Sequence, residues 1–111
     1  MTQDFIDTAT YADLSEAMGA DFVVELVHTF LEDAPNMIAS LKQGVSEGDA
    51  DAYRRAAHSI KSNAEVFGAT SLAAHARQME LSGLPTDPAT VVQLETVYAD
   101  TERSLRALLD A

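Results

Sequence analysis

The sequence predicts an all-α fold, an antiparallel four-helix bundle with a short additional N-terminal helix. Three observations point there. Apolar residues make up 47% of the 111-residue chain, with Ala and Leu plentiful, tryptophan absent and β-branched runs few. Those apolar residues recur at spacings of three and four. Gly19, Gly48, Gly68, Gly83, Pro85 and Pro88 fall between the periodic stretches, and Pro35 crosses one of them.

A short helix is expected over 10–18, ending at Gly19. Phe22, Leu26, Phe30, Met37, Leu41 and Val45 form the stripe of a first long helix, which Pro35 should kink. Gly48 and Asp49 separate it from a second, whose stripe is Tyr53, Ala57, Ile60, Ala64 and Phe67, spaced 4-3-4-3. Gly68 ends that helix. Leu72, Ala76 and Met79 mark a third, closed by the Gly83–Pro88 stretch. Val91, Leu94, Tyr98, Thr101, Leu105 and Leu108 mark a fourth. No repeat or long linker divides residues 1–111, so one domain is expected. Its ends suit either a free-standing protein or one domain of a longer chain. With no stripe left unpaired, a monomer is the expectation.

The net charge of −11 argues against nucleic acid or an anionic membrane as partner. No apolar run approaches the roughly 18 residues of a membrane span. The first five residues lack the basic start and apolar stretch of a secretory signal, and there is no cysteine; the expected location is the cytoplasm. Of seven Lys/Arg residues, Arg54, Arg55 and Lys61 flank His58, a basic spot on an acidic body. Measured against the stripe of its helix, His58 points roughly 140° from the core direction. The nearby cations favour a neutral, nucleophilic imidazole. Lys61, at i+3, can reach an anion carried by the ring, and Ser62, at i+4, is small enough for another protein to approach.

Other chemistries find little support. Glu25 and His28 form a Glu-x-x-His of the kind di-iron bundles use twice, but only one copy is present and both residues face away from the stripe, so no metal site is expected. His75 lies on the flank of its helix as a boundary residue. No nucleophile–base–oxyanion set and no Gly-rich phosphate loop is visible, so the chain is not expected to be an enzyme, to bind ATP or to phosphorylate itself.

The stretch His58-Ser59-Ile60-Lys61-Ser62-Asn63-Ala64-Glu65-Val66-Phe67-Gly68 resembles the signature of histidine-containing phosphotransfer (HPt) domains: His-x-Leu-Lys-Gly, two small residues, three more, Gly and a small residue, then a later Leu and a Leu-Glu or Leu-Gln pair. His58, Ile60, Lys61, Ala64, Gly68, Ala69, Leu72, Met79 and Glu80 fall on those positions. The departures are Ser62 for the usual Gly, Asn63 for a smaller residue and Met79 for Leu. The resemblance implies a phosphocarrier of a multistep two-component relay. His58 would accept a phosphoryl group through Nε2 from a receiver-domain aspartyl phosphate and pass it to another receiver. Lys61 would offset the charge, and Glu80 would hold Nδ1. Leu14, Met18, Phe22, Arg54, Arg55, Ser62, Glu65 and Gly68, with Leu26 at the margin, would form the docking face. The implied partners are response-regulator receiver domains and a hybrid sensor histidine kinase. No cofactor is implied beyond Mg2+ on the receiver. Two alternatives stay open. One is the phosphorylatable N-terminal module of a chemotaxis-type kinase. The other is a non-catalytic helical adaptor, against which the presence of both His58 and Lys61 argues.

Overall fold

A computed structural model describes residues 5–110, which contain five helices and no strand: α1 (Thr8–Met18), α2 (Ala20–Glu47), α3 (Ala50–Val66), α4 (Thr70–Ser82) and α5 (Ala89–Asp110). Short-range chemistry accounts for the ends. Asp7 accepts from the Ala9 and Thr10 amides at 3.0 and 3.4 Å and starts α1. Gly48, with a left-handed φ of 68°, ends α2, and Asp49 accepts from the Ala52 amide at 3.0 Å to start α3. A two-residue link between two long helices forces them to run back on each other. With 28 residues at a rise of about 1.5 Å, α2 spans the 42 Å length of the molecule.

The stripes expected on α3, α4 and α5 are the ones buried, except that Leu108 is only half-buried. The stripe on α2 is different. Val23, Val27, Phe30, Leu31, Ala34, Ile38, Leu41 and Gly44 are buried; Leu26, Met37 and Val45 are half-buried and Phe22 is exposed. The helix is turned from the expected ridge because the neighbouring one carries small residues where α3 comes close. A Cβ on Gly44 would lie 3.0 Å from the Tyr53 amide nitrogen. Pro35 stands on the exposed side, and α2 continues through it to Glu47, so the expected kink does not divide the helix.

Phe30 ties the bundle together. Its ring centroid lies 5.6 Å from that of Phe67 on the α3–α4 connection and 6.1 Å, edge-on, from that of Tyr98 on α5. Thr101 is a polar residue inside the core and donates its hydroxyl to the Val97 carbonyl at 2.8 Å. No helix among the described residues is long and apolar enough to cross a membrane.

Candidate functional site: an imidazole on the α3–α4 face

His58 stands in the middle of α3 with its side chain 55% exposed, on the outward face expected for it. The next helix runs back alongside and brings Glu80, the residue after the buried Met79, level with the ring. Glu80 Oε2 lies 2.9 Å from His58 Nδ1. The other oxygen, Oε1, lies 3.2 Å from Lys61 Nζ. One carboxylate thus bridges the histidine and the lysine that share the α3 ridge. It is only 17% exposed. The Lys61 ammonium holds the Glu80 carboxyl below its ordinary value; partial burial opposes this, and the His58 contact adds to it. An ionised carboxylate only accepts, so the contact assigns the hydrogen of a neutral His58 to Nδ1 and leaves the Nε2 lone pair facing outward.

Ser62 Oγ lies 3.5 Å from Nε2. Asn63, the bulkier departure in the motif, folds onto its own helix, donating to the Ser59 carbonyl at 2.8 Å. It leaves the ring clear.

The other expected docking residues separate into groups. Arg54 and Arg55 are exposed and share a single carboxylate, Asp51, at 2.7 and 2.9 Å. These two arginines hold the Asp51 carboxyl below its ordinary value, the Arg54 hydrogen bond first. Lys61 has its own acid in Glu80, so the three cations expected around His58 meet two carboxylates, and the basic spot is reduced but not cancelled. Asp51 was legible as the acid three and four positions before the arginines. Glu65 is exposed, two turns beyond His58. Met18 and Phe22 are 51% and 43% exposed on either side of the α1–α2 junction, whereas Leu14 is half-buried and packs on the core.

Gly68 follows the last turn of α3, the helix-ending place expected of it, but it is buried where a docking face was expected. Its φ is 73°, and its carbonyl accepts from the Asp7 amide at 2.7 Å. A Cβ there would lie 2.8 Å from Thr10 Cβ. Its missing side chain makes room for the start of α1.

A cleft of about 960 Å³ opens between α4, α5 and their connection and is lined by Tyr53, His75, Gln78, Leu84 and Gln93 among others; His58 does not line it. The exposed imidazole lies outside that cleft on an open helix face, which suits a protein surface better than a small molecule. Among the described residues no three His, Asp or Glu side chains are grouped to hold a metal ion.

The family model for the Hpt domain matches residues 25–110. The fold is similar to the crystal structure of histidine-containing phosphotransfer protein B (HptB) from Pseudomonas aeruginosa PAO1, at a TM-score of 0.86 and 30% identity, covering 96% of this chain and 95% of that one. No curated protein matches the sequence.

Proposed function

The chain belongs to the Hpt domain family, whose members carry phosphoryl groups in phosphorelays, and on that premise we propose that His58 is the residue that carries the phosphoryl group here. The observation that supports this reading best is the Glu80–His58 contact. With Nδ1–H donating to Glu80, the outward Nε2 lone pair attacks the phosphorus of an aspartyl phosphate on a receiver domain. The N–P bond forms as the P–O bond to the aspartate breaks, and the receiver carboxylate leaves without a proton. The ring keeps its Nδ1 hydrogen and becomes positively charged, and Glu80 faces that charge. Lys61, released in part from Glu80, balances the incoming phosphoryl oxygens. Phosphoryl transfer needs positioning and charge balance more than covalent help from the protein. Mg2+ and the reactive aspartate belong to the receiver.

The same steps in reverse deliver the group to a second receiver. The partners proposed are thus receiver domains of response regulators and of a hybrid sensor kinase, met in the cytoplasm on a face that includes Met18 and Phe22. The chain supplies no ATP-binding or kinase activity of its own. Incubation with a phosphorylated receiver is expected to leave an acid-labile, alkali-stable phosphate on the protein, and His58→Gln is expected to abolish it. Persistence of that label in His58→Gln overturns the assignment.

A further inference from the structure

We infer that the Ser62 hydroxyl is a ligand of the phosphoryl group on His58, an off–on hydrogen-bond donor that serves the bare nitrogen before phosphorylation and a phosphoryl oxygen after it. The role presupposes the phosphocarrier function proposed above.

The donors around Nε2 differ in how far they are committed. Lys61 Nζ is engaged by Glu80 Oε1 at 3.2 Å, and Arg54 and Arg55 are both engaged by Asp51. Ser62 Oγ has one hydrogen-bond contact, His58 Nε2, at 3.5 Å. Serine in a helix commonly turns its hydroxyl back to the carbonyl four residues earlier, as Ser40 does towards Asn36 at 3.1 Å. Ser62 instead faces the ring. Because Nδ1 carries the hydrogen, Nε2 is an acceptor and the hydroxyl is the donor.

At 3.5 Å the contact is at the long limit and weak. When Nε2 gives its lone pair to phosphorus, that acceptor disappears and three anionic oxygens arrive in its place. The hydroxyl needs only to rotate to meet one of them. A weak neutral contact is exchanged for a charge-assisted one, which is roughly twice as strong as a neutral bond. The exchange favours the phosphorylated state and slows its loss to water.

The test needs no receiver. Phosphoramidate transfers its phosphoryl group to Nε2: the N–P bond to histidine forms, the donor P–N bond breaks, and ammonia leaves. The lifetime of the purified phosphoprotein is then followed by phosphorus-31 NMR for the wild type, Ser62→Ala and Ser62→Thr. Alanine is expected to shorten it about two- to tenfold and threonine, which keeps the hydroxyl, to restore it. In the unphosphorylated protein, the nitrogen-15 resonance of neutral Nε2 is expected to move in Ser62→Ala towards that of a free lone pair, and to return in Ser62→Thr. Equal lifetimes in the wild type and Ser62→Ala, or a threonine variant as short-lived as alanine, overturn the role of the hydroxyl while label on His58 leaves the phosphocarrier reading standing. Absence of label on wild-type His58 overturns both. Alanine propagates a helix better than serine, so the variant folds.

Discussion

Glu80 on α4 orients His58 on α3 from twenty-two positions away, through a 2.9 Å contact to Nδ1. The carboxylate is the acceptor that selects the tautomer, and on the function proposed above it would also be the counter-charge for the ring during attack. Glu80→Gln keeps the shape and removes the charge. Transfer from a phosphorylated receiver is expected to slow about tenfold or more, with the melting temperature little changed. Radiolabel time courses check this, and an undiminished rate contradicts the role given to Glu80.

Lys61 is 22% exposed and contacts the same carboxylate, so its loss removes a cation from the site without opening the core. Lys61→Ala is expected to slow transfer in both directions while shifting the melting temperature by less than about 5 °C. A larger shift, read by circular dichroism, would mean that its contact with Glu80 holds α3 to α4.

Phe22 and Met18 offer exposed apolar surface that the core does not use. Phe22→Ala is expected to weaken receiver binding by about fivefold or more, with stability changed by less than about 1 kcal/mol. Calorimetric titration with a receiver and urea unfolding separate the two effects.

Gly68 combines a left-handed φ with a close approach of Asp7 and Thr10. Gly68→Ala is therefore expected to cost about 2–4 kcal/mol in urea unfolding. Amide exchange should rise first in α1, because the Asp7–Gly68 hydrogen bond joins that helix to the end of α3. A loss below 0.5 kcal/mol would contradict the packing described.

Burial, with Glu102 adding to it, pushes the Tyr98 hydroxyl up from 10.0 to about 12. The folded state therefore binds this proton more tightly than the unfolded chain does. Its contribution is complete below pH 10 and is lost as pH rises towards 12. Stability measured by urea is expected to fall across that window, and less steeply in Tyr98→Phe.

The sequence was most legible where one helix carried one ridge. On α3 the 4-3-4-3 spacing of Tyr53, Ala57, Ile60, Ala64 and Phe67 identified the core side, and the direction of His58 followed from it. On α2 two apolar ridges lie side by side. Phe22 fits both the apolar stripe and a docking face, and the structure exposes it; the buried ridge includes Gly44, whose missing side chain matters only when α3 approaches. The charges around His58 are visible singly, and Asp51 is within helical reach of both arginines in the sequence, whereas the link from Lys61 to Glu80 depends on how α4 returns. Gly68 is a contact between the two ends of a long stretch of chain, and no local spacing announces that.

His58, Lys61, Ser62 and Glu80 all lie on α3 and α4, whereas α5 supplies core residues and one wall of the wide cleft. Chemistry and ballast are carried by different parts of the chain. Substitutions along α5 are expected to change melting temperature, or what fills that cleft, with the His58 ring left as it was. The last helix can be tuned for heat or salt while the α3–α4 ridge, with the exposed Met18 and Phe22, keeps the surface that we propose meets a receiver.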